Sequence, residues 1–332
     1  MNMNRFFIYV FGVSVLFSCT KEEEQVKTSK ELVCESKRYE FPFFTEVDVT
    51  TVKYGSNINT SGVNQELFMD VYSPKSDTLS KRPAIILAFG GSFIAGDRKQ
   101  LSALATELAK LGYVAACIDY RLLSFTQWPI DSVKGFDIAI KAAGDMKAAI
   151  RHLRKDAATV NLHKIDPDLI FAGGVSAGAI TALQAAYFDA GDNTEAHVKA
   201  VIEKNGGIEG NSGDVENLKY SSKVQGVINL SGAIYRPYFI DAGEPPVISF
   251  HGDADAVVPY GYDFAKPLGI PIIPLYGSSE VNKRASAVNV RSTLVTVKGG
   301  GHEDIYSEPK FSSDYNGFKQ LAFWFNKEII CE

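Results

Sequence analysis

Leu169-Ile-Phe-Ala-Gly-Gly-Val-Ser-Ala-Gly-Ala-Ile180 runs from a short apolar segment into Gly174-Val175-Ser176-Ala177-Gly178 and then into helix-forming residues. The stretch reads as strand, sharp turn, helix. A serine held on a strained turn at the end of a strand projects its hydroxyl away from the sheet. The backbone there crowds its neighbours, so the positions two before and two after must be small, and Gly174 and Gly178 meet that need. The turn also leaves the N–H of Ala177 at the start of a helix, where donors are unpaired and face developing negative charge. Taken alone, the five residues suit an ordinary Gly-rich turn as well, so the flanking chain has to decide.

Upstream, Glu46–Tyr54 and Glu66–Tyr72 alternate apolar and polar residues, as half-exposed strands do. Pro83–Phe89 is apolar throughout, which suits a central strand covered on both faces. From there strands and helices take turns. Residues 101–111 have helical spacing and stop at Gly112, and 113–120 form another buried strand. Residues 136–157 are a long amphipathic helix with Ile138, Ala142, Met146, Ile150 and Leu153 on one side. Beyond the central stretch, 224–230, 246–250 and 293–297 read as strands and 314–330 as a closing helix. This pattern predicts one mostly parallel sheet with helices on both faces. Two excursions, 189–223 and 260–292, interrupt it. Long connections on an α/β core are usually lids or pocket walls, and the second is too apolar for solvent-exposed chain.

The chain has 332 residues, 45% of them hydrophobic and 22% charged, which suits a globular protein. Its net charge of -5 argues against a nucleic-acid partner, which needs a basic face. No internal repeat, zinc-type Cys/His spacing or Gly-Lys-Ser/Thr phosphate loop is found.

Gly-x-Ser-x-Gly between a strand and a helix resembles the nucleophile elbow of the α/β-hydrolases, so the resemblance implies Ser176 as nucleophile. A serine hydroxyl needs a base. Of five histidines, His152, His163 and His197 read as solvated surface residues. His302 follows a strand within Gly299-Gly-Gly-His-Glu303, where the family places its histidine. His251-Gly-Asp-Ala-Asp255-Ala-Val-Val-Pro259 resembles the His-Gly-x-x-Asp-x-x-Val-Pro segment of esterases and related peptidases. The fifth position, Asp255, is then the carboxylate that orients the imidazole, with Asp253 the rival and His251 a brace for the turn. The order Ser176, Asp255, His302 is that of the α/β-hydrolases. Phe89-Gly-Gly-Ser-Phe93 resembles the His-Gly-Gly-Gly loop of lipases and carboxylesterases, with Phe89 and Ser92 as departures. The match implies an oxyanion hole from the N–H groups of Gly91, Ser92 and Ala177. Phe93 and Trp128 are candidate pocket walls, and Asp119-Tyr120-Arg121 reads as a structural charged pair at a strand end.

Arg5 and the apolar stretch Phe6–Phe17 have the form of a secretory signal peptide, too short to span a bilayer. Leu16-Phe-Ser-Cys19 resembles the lipobox of bacterial lipoproteins, which implies lipidation at Cys19 and removal of residues 1–18. Thr20-Lys-Glu-Glu-Glu24 resembles the acidic tag of surface-bound lipoproteins. Residues 19–40 then form a flexible tether and 41–332 the catalytic domain. Cys117 sits in an apolar run and reads as buried. Cys34 and Cys331 lie near the ends of the folded part, and both a disulfide and two free thiols stay open.

The resemblance implies a serine carboxylic ester hydrolase of the carboxylesterase and hormone-sensitive-lipase-like kind. It implies no metal or organic cofactor, and contact with a membrane only through the lipid at Cys19. The expected substrates are short-acyl or polysaccharide-borne esters met at the bacterial cell envelope, on the outer membrane or cell surface. Two rivals remain: a serine peptidase of the prolyl-oligopeptidase type, and a binding module on a hydrolase scaffold.

Overall fold

A computed structural model describes residues 31, 34–35, 38–127, 129–192, 194–307, 325 and 327–332. In chain order its strands and helices are β1 (Val47–Ile58), β2 (Asn64–Pro74), β3 (Arg82–Ala88), α1 (Ser102–Leu111), β4 (Val114–Ile118), α2 (Ser132–Ala158), β5 (Ile165–Val175), α3 (Ala177–Tyr187), α4 (Ala196–Lys204), β6 (Val227–Leu230), β7 (Ala233–Ile234), β8 (Val247–Gly252), β9 (Tyr262–Ala265), β10 (Ile273–Gly277), α5 (Ser278–Ala287), β11 (Ser292–Val297) and α6 (Asp304–Ser307). Eight strands form one sheet in the order β1-β2-β4-β3-β5-β6-β8-β11. β1 and β2 pair antiparallel, as do β2 and β4, and every later pairing is parallel.

The apolar run of β3 is buried along its whole length because the sheet is covered on both sides. Its residues alternate between two cores. Ala84, Ile86 and Ala88 face α2 and α3 with Met146, Ile150, Leu153 and Leu183. Ile85 and Leu87 face the other way, towards Leu108 and Leu111 of α1, Cys117 and Phe250. α1 ends where Gly112 takes a left-handed conformation (φ 110°) and its N–H bonds back to Ala109 and Leu108. This is the α/β-hydrolase fold.

Parallel pairing aligns the strand ends that matter. Val175 lies beside Leu230, and Leu230 beside Phe250. β11 pairs with β8 so that Val297 sits opposite Gly252. The loops after β5, β8 and β11 therefore leave the sheet along the same edge, which is where such sheets bind ligands.

Several expectations need correction. The excursion at 260–292, expected as a pocket wall, does line a pocket and carries regular structure that the sequence reading does not assign: β9 and β10 join β7 in a second, three-stranded antiparallel sheet, followed by α5. Its alternation was hidden by Pro267, Pro271 and Pro274. The excursion at 189–223 packs its glycine loop against α2, where Gly210 meets Gly144. Arg121 does not pair with Asp119. Its guanidinium reaches Asp145 of α2 at 2.8 Å in a fully buried contact, while Asp119 pairs with Arg98 at 2.7 Å. His163 is buried rather than solvated, and burial lowers its pKa; His152 is half-buried, and His197 is exposed. Cys34 and Cys331 form a disulfide, with Cα atoms 5.7 Å apart, and Cys117 is a buried free thiol. Residues 1–18, Cys19, Trp128 and most of the closing helix lie outside the described residues; the last turn of that helix, 327–331, is helical.

Candidate active site

Ser176 stands between β5 and α3 with φ 54° and ψ -119°, a conformation that L-residues rarely hold and that persists only where the surroundings enforce it. Its N–H donates to Leu230 O at 2.8 Å, which ties the turn to β6. The two elbow glycines are sterically required. A Cβ on Gly178 would lie 2.0 Å from Ala88 O, and one on Gly174 would lie 2.4 Å from Gly178. The Ser176 side chain makes no capping bond to its own helix, so it is left for other partners.

His302 supplies the first of these. Its Nε2 lies 2.9 Å from Ser176 Oγ, and its Nδ1 lies 2.7 Å from Asp255 Oδ2. Three side chains from three loops thus form one hydrogen-bonded line. The approach depends on Gly252, whose missing Cβ would stand 2.1 Å from Gly300 O. Ala254 N–H donates to Gly300 O at 3.0 Å and locks the two loops together. Asp253, the rival carboxylate, accepts from Gly299 N–H at 2.6 Å and from Lys298 at 3.2 Å. It braces the glycine loop and does not reach His302.

Asp255 is wrapped in donors. Oδ1 accepts from the N–H groups of Val257 and Val258 at 2.8 and 3.0 Å. Oδ2 accepts from His302 and from His251 Nε2 at 3.1 Å. Burial by itself would raise this carboxyl, but the bonds from His251, His302 and Val257 outweigh burial and hold it far below the usual carboxylate range. Asp255 is therefore an anion, and it fixes His302 as the Nδ1–H tautomer with the Nε2 lone pair facing the serine.

His251 does more than brace the turn. Its Nε2 lies between two acceptors, Asp255 Oδ2 and Val258 O, both at 3.1 Å, so that nitrogen carries the proton. Its Nδ1 meets Ser278 Oγ at 2.7 Å. Asn229 Nδ2 donates to Ser278 Oγ and to Ser249 Oγ, both at 2.9 Å. A fully buried polar chain therefore runs beneath the site and ends on Asp255. No spacing rule points to Ser278 or Asn229, because they come from unrelated segments.

The predicted oxyanion donors gather round Ser176. Gly91 and Ser92 line a cleft of mixed character, with Ser176, His302, Glu303 and Gln100 among its polar residues and Leu101, Leu104, Val175 and Leu268 among its apolar ones. Ser92 and Ala177 also line a second, apolar pocket that opens on Ser176. Gly91, Ser92 and Phe93 have φ of 118°, 57° and 61°, so two non-glycine residues in succession hold the left-handed region. The Tyr120 hydroxyl donates to Phe89 O at 2.7 Å, and Leu123 N–H donates to Phe93 O at 2.7 Å. The segment after β4 thus holds this loop in its strained form. Phe93 lines the apolar pocket as expected. Phe136, Ile180, Tyr235, Ile273 and Leu275 complete its walls, and the 260–292 segment contributes several of them. Among the described residues, no group of three or more His, Cys, Asp or Glu side chains is arranged to hold a metal.

Fold and site together define a protein of the α/β-hydrolase class with a Ser–His–Asp line at the edge of its sheet. Residues 69–263 match the BD-FAE family, and the chain belongs to that family. Among solved structures it is similar to a thermophilic esterase from the planctomycete Thermogutta terrifontis with propionate bound. The two share 22% identity over 85% of this chain and 94% of the other, with a TM-score of 0.60. The butyrate-bound form matches at 21% identity over 82% and 93%, with a TM-score of 0.58. The same organism's esterase 2 phosphorylated by paraoxon matches at 22% over 85% and 94%, also with a TM-score of 0.58. No curated protein matches this chain in sequence.

Proposed function

We propose that this protein is a serine carboxylic ester hydrolase acting on short-acyl or carbohydrate-linked esters outside the cytoplasm. The observation that carries the reading is the unbroken line Ser176–His302–Asp255, opening between a cleft of mixed character and an apolar pocket. Ser176 Oγ attacks the ester carbonyl carbon and gives its proton to His302 Nε2. The carbonyl electron pair moves to oxygen, where the N–H groups of Gly91, Ser92 and Ala177 receive it. Each such donor contributes about 2.7–4 kcal/mol to lowering the barrier. Collapse breaks the bond to the alkoxy oxygen, which leaves with the proton from His302. Water then attacks the acyl-serine, passing one proton to His302, and Ser176 departs with that proton.

The two cavities divide the substrate. The general acid has to reach the leaving oxygen, and His302 lines the mixed cleft, so the alcohol belongs there. The acyl group belongs in the apolar pocket. The polar groups Ser92, Gln100 and Glu303 in that cleft suit a sugar-borne alcohol, and the propionate- and butyrate-bound relatives support short acyl chains. Export and a lipid anchor at Cys19 rest on the N-terminal sequence, and the Cys34–Cys331 disulfide suits an oxidising compartment.

Ser176→Ala should lower turnover of p-nitrophenyl butyrate by about 10⁶-fold and abolish labelling by a fluorophosphonate. Near-normal turnover by that variant removes Ser176 from the mechanism. Peptide cleavage without ester cleavage replaces this reading by the peptidase one. Acetylated xylan assayed beside p-nitrophenyl acetate tests the sugar-borne alcohol.

A further inference from the structure

The apolar pocket is lined by a polar side chain with an atom that nothing among the described residues satisfies. Gln184 lies on α3, two turns beyond Ser176, and lines the pocket on the same helix face as Ala177 and Ile180. Its side chain is 2% exposed, and its Oε1 has no hydrogen-bond partner among the described residues. A buried amide oxygen left without a partner is destabilising and calls for an explanation. A leucine or methionine there would pack against Phe136, Tyr235 and Ile273 without that penalty. The nearby polar groups are already engaged: the Tyr235 hydroxyl accepts from Arg236 at 3.3 Å, and the Thr181 hydroxyl donates to Ala177 O at 2.8 Å.

We propose that Gln184 is a specificity-determining residue that reads a hydroxyl at the far end of the acyl group. The inference rests on the esterase reading and deepens it. A hydroxyl both donates and accepts, so it satisfies the amide in either of its two orientations. The geometry sets the length. Eight residues of helix rise separate Ser176 from Gln184, about 12 Å along the axis. Helical side chains lean back towards the N-terminus, which shortens the gap to roughly 8 Å. About 1.3 Å of that gap is the bond from Oγ to the acyl carbon and about 2.8 Å is the hydrogen bond, so roughly 4 Å remains, which fits an extended three-carbon acyl chain with a terminal hydroxyl. An acyl group of this length without the hydroxyl fills the walls and leaves the amide unpaired. Sites that hydrogen-bond a substrate hydroxyl discriminate strongly against analogues lacking it.

The test compares methyl 3-hydroxypropanoate with methyl propanoate on the wild-type protein, Gln184→Leu and Gln184→Met. The wild type should prefer the hydroxy ester in kcat/KM by about 10-fold or more, and both variants should prefer the plain ester. Calorimetric binding of the two free acids, 3-hydroxypropanoic and propanoic, gives a readout that does not need turnover, and the same reversal is expected there. Hydrolysis of both esters with a ratio unchanged by Gln184→Leu and Gln184→Met overturns the role of Gln184 and leaves the esterase reading standing. Absence of hydrolysis with the acid-binding preference intact, and reversed in the variants, does the opposite. Two folded variants with the wild-type preference in both measurements end the proposal.

Discussion

Gly178→Ala tests the crowding that places the nucleophile. In an unconstrained helix this exchange stabilises by about 1 kcal/mol. Here the new Cβ would stand 2.0 Å from Ala88 O, 2.4 Å from the Ala88 carbonyl carbon and 2.5 Å from Phe89 O. Carbon–oxygen contacts close to about 3.3 Å at best, so the two backbones must part by roughly 1.3 Å. One of them carries Ser176, and the other leads into Gly91 and Ser92. Their separation therefore lengthens the distance between the nucleophile and its oxyanion donors. An error of about 1 Å in reacting geometry costs on the order of 10²-fold, and loss of one donor costs ~10²–10³-fold. The two effects overlap, so kcat should fall by about 10²–10³, and overpacking should lower stability by about 1–3 kcal/mol. The assay is kcat for p-nitrophenyl butyrate together with the urea midpoint. Gly243→Ala is the control: with φ +86° and nothing within 4 Å, it should cost about 1–2 kcal/mol of backbone strain and leave kcat alone. A Gly178→Ala protein with wild-type kcat and midpoint would refute the steric account of the elbow.

His251→Phe strips one donor from Asp255 and leaves Ser278 facing a ring that cannot pair with it. A hydrogen bond to a charged group is worth about 1.5–3 kcal/mol, so kcat/KM should fall roughly 10- to 100-fold. The Asp255 carboxyl is depressed in the folded state; the stability it confers is present above the unfolded pKa and is lost as pH falls through the folded one. With one donor gone the folded pKa moves up towards the unfolded one, so that loss should be smaller and complete at higher pH, and an acid-unfolding curve identical to wild type would show that His251 does not tune the carboxylate. Glu244 is the opposite case, pushed up to about 7 chiefly by burial, with Asp189, Asp241 and Asp192 nearby. Its folded form holds the proton longer than the unfolded chain does, so stability is full below about pH 4.5 and declines as pH rises through about 7. Glu244→Gln should raise Tm at pH 8 and not at pH 4; after allowance for partial exposure the gain is about 1 kcal/mol, and equal shifts at both pH values would exclude titration as the cause. Reduction of the Cys34–Cys331 disulfide, 297 residues apart, should lower stability by about 2–5 kcal/mol, read as a denaturant midpoint with and without reductant. An unchanged midpoint would show that the bridge does not restrain the unfolded chain.

The chain by itself determined the sheet class, the elbow and the identity of Ser176, Asp255 and His302 as a set. Each of those signals is local. Apolar runs of strand length mark covered strands, and small residues two places either side of a serine mark a crowded turn. Distances between the three loops were never in the sequence. They follow from parallel pairing that aligns Val175, Leu230 and Phe250, and from Gly252 letting two backbones meet. The spacing to Val258-Pro259 favours Asp255 over Asp253, and the fold gives the reason: of two carboxylates in one short turn, it points one at the imidazole and the other at Gly299. The partner of Arg121, the three-stranded sheet at the pocket wall, and the chain from Ser249 through Asn229 and Ser278 to His251 join segments far apart in sequence. Gln184 stands one step beyond both. Its type and helix position can be read from the chain, but its isolation emerges only once four separate elements have closed an apolar pocket round it. Side-chain periodicity records which face a residue presents, whereas the company that face keeps is decided by packing.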